Sequence, residues 1–240
     1  MRHPAFEQVD HRPWSLPDRP WVMQQEWHDL LFLHWEIDAK HLQSLIPSNL
    51  EVDTFEGSAW LAIVPFSMRG VSPRACPKPS FLSDFPEINI RTYVIKDGKP
   101  GVWFFSLDVP NQLPVWLART FFHLPYFKGQ MDVQNQNGET RYDSRYERRE
   151  FRATYSGSKL ITPQADSFEH WSTERYCLYS QSRSGQLHRA EVQHPKWPLQ
   201  KANVHIEKNS MLDNFKVGSR HPSALFAKEI PVVAWWPQKC

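Results

Sequence analysis

The stretch Pro86-Glu87-Ile88-Asn89-Ile90-Arg91-Thr92-Tyr93-Val94 alternates between two chemistries. Successive side chains of a β-strand point to opposite faces. Ile88, Ile90, Thr92 and Val94 therefore share one side, and Glu87, Asn89, Arg91 and Tyr93 share the other. The first side is a core face. The second carries an acid, an amide, a guanidinium and a phenol in one row, and two readings of it stand side by side. It is either the solvated face of an antiparallel sheet or the wall of a cavity that takes a small polar ligand. Inside a cavity the carboxyl and the guanidinium would perturb one another's titration and could perform acid–base work.

Working outward, segments 87–96 and 101–109 flank Asp97-Gly98-Lys99-Pro100, which reads as a hairpin connection. Further strands are expected at 130–136 and 140–147, joined by the two-residue turn Asn137-Gly138, and at 150–155. Toward the N-terminus, 27–37 reads as a buried strand. Asp38 then caps a helix whose stripe of Leu42, Leu45 and Ile46 ends at Pro47. Strands at 52–55 and 59–67 surround Glu56-Gly57. The proline-rich 70–86 reads as a long loop, and a helix is expected from Asn111 to about His123. Segment 168–179 starts as helix and continues as strand, 186–193 is a strand, 199–207 a weak helix and 230–236 a closing strand. Residues 1–25, with Pro4, Pro13, Pro17 and Pro20, read as an extended arm pinned by Trp14 and Trp21, leaving 26–240 as one domain. The fold class is α+β, mainly antiparallel β with a few peripheral helices.

Composition narrows the function. The 28 basic and 26 acidic residues are spread along the chain, so no field for a nucleic acid is expected. The densest basic run, 145–152, mixes signs and reads as the wet face of a strand pair. Nine scattered glycines form no phosphate-binding loop, and no GxSxG elbow occurs. The eleven histidines show no ligand spacing, so neither a metal nor a cofactor is expected. Three isolated cysteines fit a reducing cytoplasm, and Cys177 reads as a buried, inert thiol. The N-terminus carries no apolar leader. The most apolar segment, 115–127, is short and holds Arg119 and His123, so no membrane partner is expected. A homo-oligomer is compatible with the sequence.

Three further clusters carry chemistry: Arg119 to Tyr126, Trp171 to Tyr176, and His194-Pro195-Lys196-Trp197-Pro198. Flat aromatic walls with a polar handle and a guanidinium fork suit a ligand site, although each cluster alone reads equally as core packing with a surface ion pair.

The run Phe32-Leu33-His34-Trp35-Glu36-Ile37-Asp38, with Ala59-Trp60, Val64-Pro65-Phe66, the stretch 85–94, 101–108, 173–179 and 194–199, resembles the YqjF-like family of uncharacterised bacterial proteins. That family is similar in turn to the acetoacetate decarboxylase superfamily, and the resemblance implies an antiparallel barrel or cone with a ligand cavity inside. It also implies that Glu87 is the counterpart of the decarboxylase glutamate. The Schiff-base segment corresponds to Leu124-Pro125-Tyr126-Phe127-Lys128, with Tyr126 and Phe127 where the two lysines would stand and Glu36 where an arginine would be. Tyrosine forms no imine, so Schiff-base decarboxylation is not expected unless Lys128 is recruited.

The resulting expectation is a small anionic or carbonyl-bearing molecule bound in an internal cavity. Glu87, Arg91 and Tyr93 would form its floor, Arg119 and Tyr126 a wall, and Glu174, Tyr176, His194 and Trp197 its rim. If the protein is an enzyme, Glu87 is the acid–base group and Tyr126 donates to a developing oxyanion, in cofactor-free lyase, isomerase or hydrolase chemistry. The alternative is a non-catalytic sensor or sequestering protein for an aromatic compound. A third class, a surface interaction protein, would show an apolar patch and no cavity.

Overall fold

The computed structural model describes residues 3–77, 80–111, 122–218 and 221–240. In chain order its strands and helices are β1 (Met23–Ile37), α1 (Ala39–Gln43), β2 (Glu51–Val52), β3 (Ala59–Pro73), α2 (Ser80–Ser83), β4 (Phe85–Lys96) and β5 (Lys99–Val109). There follow β6 (Tyr126–Lys128), β7 (Gln130–Gln136), β8 (Glu139–Tyr146), β9 (Arg149–Leu160) and α3 (Phe168–Thr173). The chain continues with β10 (Cys177–Gln181), β11 (Leu187–Gln193), β12 (Leu199–Asn209), β13 (Ser223–Ala234) and β14 (Gln238–Lys239).

All of these strands join one sheet in the order β14-β11-β10-β5-β4-β3-β1-β13-β12-β9-β8-β7, with β2 on β4 and β6 on β5. The pairings are antiparallel except β5 with β10 and with β6. β11 also meets β13, at Val192 opposite Ala234 and Gln193 opposite Val233. The sheet therefore curls back on itself over two residue pairs. It is cone-like rather than a fully closed barrel, which refines the expected architecture.

The expected hairpins form because their turn residues accept positive φ: Asp97 and Gly98 at +51° and +70°, Asn137 and Gly138 at +53° and +80°. Alternation along the strands builds two interiors. On one face Leu30, Val64 and Phe66, packed with Phe32, line a cavity. On the other, Leu31, Leu33, Ile88 and Ile90 pack against Tyr142, Phe151 and Tyr155 of β8 and β9. In β1 the two sets are phased by Asp29, a buried residue at φ +51° where the β1–β3 register slips. An extra residue in one strand of a pair leaves the following side chains on switched faces. Asp29 is held there by Lys228, by Asn135 Nδ2 at 2.9 Å, and by the Tyr155 hydroxyl, which donates to its carbonyl at 3.0 Å.

Several elements differ from expectation. The segment read as a weak helix at 199–207 is strand β12, because Ala202, Val204 and Ile206 recur at period two and pack on the second core. The expected loop at 70–86 is shorter, since β3 continues to Pro73 and α2 occupies Ser80–Ser83. Helix α1 is capped by Asp38 as expected but stops at Gln43, leaving Leu45 exposed. The helix expected after Asn111 falls on 112–121, outside the described residues. Residues 3–22 run without a strand over β11 and β13. Arg12 pairs with Glu191, Trp14 Nε1 donates to Glu191 at 2.8 Å, and Phe6 meets Trp235 edge-on at 6.1 Å. No helix among the described residues is long and apolar enough to cross a membrane.

Candidate functional site

The inward face of β4 presents Phe85, Glu87, Asn89 and Arg91 to a cavity of about 500 Å³. Across from them stand Trp27 and Leu30 of β1 and Val64 and Phe66 of β3. The row read from alternation is therefore a cavity wall over its first three members.

Glu87 is 2 % exposed. Its Oε2 accepts from the Tyr126 hydroxyl at 2.7 Å and its Oε1 from Asn89 Nδ2 at 3.2 Å. Tyr126 reaches it because β6 runs parallel to β5, with Leu107 opposite Tyr126, and Leu107 is itself opposite Asn89. Burial, reinforced by Asp108, pushes the Glu87 carboxyl up to about 7 against the two hydrogen bonds that favour its charged form. Burial and the neighbouring Glu87 push the Tyr126 phenol well above its ordinary range, so it remains a donor. Asp108, 1 % exposed and 3.1 Å from Arg149, is itself raised by burial to about 6.

Arg91 lies deeper. Its guanidinium packs 5.4 Å from the Phe32 ring and 5.8 Å from the Tyr93 ring, its Nε has no hydrogen-bond partner, and it makes no ion pair among the described residues. Arg175, which also lines the cavity, is paired through Nη1 with Asp53 at 2.5 Å, while its Nη2 is unpartnered. Trp27 Nε1 and Asn89 Oδ1 are unpartnered and buried as well. Buried polar groups are nearly always satisfied, so four unpartnered atoms on side chains that line one cavity leave unused polar capacity around it.

The remaining expected residues divide. His194 and Trp197 line the cavity; Trp197 Nε1 donates to the Thr173 carbonyl at 2.8 Å. Burial lowers His194 to about 4, and it is stacked on Tyr176 at 4.7 Å. Tyr176 and Glu174, hydrogen-bonded to each other, stand behind His194 and not on the cavity. Tyr93, expected on the floor, sits behind it: its ring lies between the Arg91 and Arg175 guanidinia, and its hydroxyl meets His34 Nε2 at 2.6 Å. Burial, then Arg91, lowers His34 to about 3. Arg119 lies outside the described residues. Lys128 is exposed at the end of β6 and does not line the cavity. Cys177 does line it, and burial pushes its thiol up to about 12. Among the described residues no group of three or more His, Cys, Asp or Glu is arranged to hold a metal ion.

Sequence reasoning missed Trp27 and Arg175 as lining residues. The signal for Arg175 was its place in the Trp171–Tyr176 cluster. Trp27 offered none, because the irregularity at Asp29 breaks the period of β1.

Residues 24–231 match DUF2071, described as an uncharacterized conserved protein. The chain belongs to this family. It is 38 % identical over 235 residues to the uncharacterized protein YqjF of Bacillus subtilis (strain 168), covering 95 % of this chain and 97 % of that one. Among solved structures it is similar to acetoacetate decarboxylase from Legionella pneumophila, at TM-score 0.64 and 12 % identity over 98 % of this chain and 94 % of that one. It is also similar to the enduracididine biosynthesis enzyme MppR complexed with pyruvate, at 0.64 and 9 % over 96 % and 93 %. An acetoacetate decarboxylase-like enzyme from Sphingomonas wittichii RW1 matches at 0.63 and 10 % over 97 % and 98 %. These likenesses establish the fold, as the resemblance implied, and at such identities only the fold.

Proposed function

We propose that this DUF2071 protein binds a small anionic or carbonyl-bearing organic molecule in its cavity and moves a proton on it without a cofactor. The observation that carries the proposal is Glu87: a buried carboxyl on the cavity wall, held near neutrality and touching a phenol that stays protonated. A general base works best when its pKa lies near the operating pH. As the carboxylate, Glu87 takes a proton from a carbon next to a carbonyl. The electron pair moves onto the carbonyl oxygen, and Tyr126, released from the newly protonated Glu87, donates to that oxygen. Return of the proton to another position completes an isomerisation. Arg91 holds an anionic group of the ligand. The pyruvate complex of the structurally similar MppR supports a small oxo acid as the ligand class. Among the described residues no lysine lines the cavity, which argues against an imine. The three free thiols fit a reducing, cytoplasmic setting.

A second reading, a sensor or sequestering protein, is favoured by the aromatic character of the wall, with Trp27, Phe66, Phe104 and Trp197. One experiment separates the two. A panel of oxo acids is titrated by tryptophan fluorescence, and solvent deuterium uptake at the carbon next to the carbonyl is followed by NMR. Binding with uptake that disappears in Glu87→Gln supports the enzyme. Binding with no uptake assigns the sequestering role, and no binding by any member refutes both.

A further inference from the structure

Polarity is distributed unevenly along the cavity. The strand registers order its rungs: Met23 opposite Pro73, Trp27 opposite Met68, Met68 opposite Phe85, Phe66 opposite Glu87, Val64 opposite Asn89 and Ala62 opposite Arg91. At the Arg91 end every polar lining residue is buried, including Thr173, Arg175 and His194. At the Met23 end the lining that meets solvent is mostly apolar, with Pro73 and Pro77 exposed, Trp236 46 % exposed, and Val71 and Phe122 half-buried beside the one half-buried polar residue there, Gln25. Small polar ligands do not need such a mouth. Apolar surface left at the rim of a pocket marks a place that something apolar covers.

We propose that the ligand is an amphiphile, a carboxylate with an apolar chain, whose head sits on Arg91 at the closed end and whose chain runs past Trp27 and Phe85 to the mouth. This rests on reading the cavity as a ligand site and names the class of molecule it takes. Arg91 fits the head because it is a buried cation with no ion pair among the described residues, whereas Arg175 already has Asp53. Glu87 and Asn89, between head and tail, lie beside the first carbons of the chain, where a carbonyl group would meet Tyr126. Length follows from the strand. Phe85 to Arg91 is six steps of about 3.3 Å, roughly 20 Å. Carbon–carbon bonds of about 1.5 Å advance an extended chain about 1.3 Å each. Allowing for the arginine side chain, about a dozen carbons bring the chain level with Phe85, and longer chains run on toward the mouth.

The test is a binding series by tryptophan fluorescence: acetate, butyrate, hexanoate, octanoate, decanoate and dodecanoate, each beside the alcohol of equal length and below micelle-forming concentrations. Affinity is expected to rise about three- to fourfold per methylene through dodecanoate. Each alcohol is expected to bind at least about tenfold more weakly than its acid, since a charge-assisted contact is lost. In Arg91→Gln the acid and the alcohol should become equal. Val71→Asp, a change at the half-buried mouth, should weaken dodecanoate more than butyrate. The wild-type series decides the matter even if a variant fails to fold. Affinity independent of chain length, or acids and alcohols that bind alike, overturns the amphiphile. Short oxo acids that bind and exchange deuterium while longer chains are rejected would overturn this inference and leave the proposed function standing. Chain-length dependence without deuterium exchange would do the reverse.

Discussion

Replacing Glu87 by Gln removes one proton-binding group from the cavity wall and keeps its shape. The Gln carbonyl can accept from Tyr126, and turning the Asn89 amide over lets its unpartnered Oδ1 accept from the new NH₂ group. What changes is linkage. Glu87 titrates near 7 in the folded chain against 4.5 as the reference. The folded state therefore binds more protons than the unfolded state between these values, and stability is lost as pH rises through that window. Carried through this linkage, ionising Glu87 costs the fold about 3 kcal/mol above pH 8 and less than about 1 kcal/mol at pH 5. Urea denaturation of wild type and Glu87→Gln at pH 5 and pH 8.5 reads this directly. The variant should gain about 2–3 kcal/mol relative to wild type between the two pH values, equivalent to roughly 5–10 °C in Tm for a chain of this size. Asp108, whose raised carboxyl adds a slope of the same sign, is present in both proteins and largely cancels. Parallel pH profiles for the two proteins would refute the placement of a near-neutral carboxyl in this cavity.

Two other outcomes are expected. His34 and His194 are held neutral, at about 3 and about 4, so each adds stability that is present at pH 7 and lost as pH falls below the unfolded value of 6.5. Each is worth about 2 kcal/mol between pH 7 and 5, and the opposing slopes of Glu87 and Asp108 nearly flatten the wild-type profile there. His194→Gln should tilt it, lowering stability at pH 7 relative to pH 5 by about 2 kcal/mol in chemical denaturation, whereas an unchanged profile would contradict a buried neutral imidazole. Gly101→Ala should cost about 1–3 kcal/mol in the same assay, because the added methyl would stand 2.7 Å from the Cys177 carbonyl and 2.8 Å from the Tyr179 ring, where β5 meets β10.

Much of this was legible where one strand carries one strong rhythm. The alternation from Glu87 to Val94 placed Ile88 and Ile90 in the core and Glu87, Asn89 and Arg91 on the cavity, because both faces of β4 are covered. The same rhythm put Tyr93 in that row, and it stays on that side against Arg91 and His34, but the cavity ends before reaching it. β12 was hidden because its inward residues, Ala202, Val204 and Ile206, are only half-buried and alternate with polar Asn203 and His205. The pairing of Arg175 with Asp53 joins positions 122 residues apart and leaves no local trace. Rhythm reports which face a residue occupies; it says nothing of which distant segment arrives opposite.

The two-sided covering of β4 has a consequence for descent. One strand carries two texts on alternate letters. Ile88 and Ile90 answer to Phe151 and Tyr155, and any change there is judged by whether the protein folds. Glu87, Asn89 and Arg91 answer to whatever enters the cavity, and change there is judged by chemistry. A lineage can therefore rewrite the odd positions while the even ones keep the sheet intact.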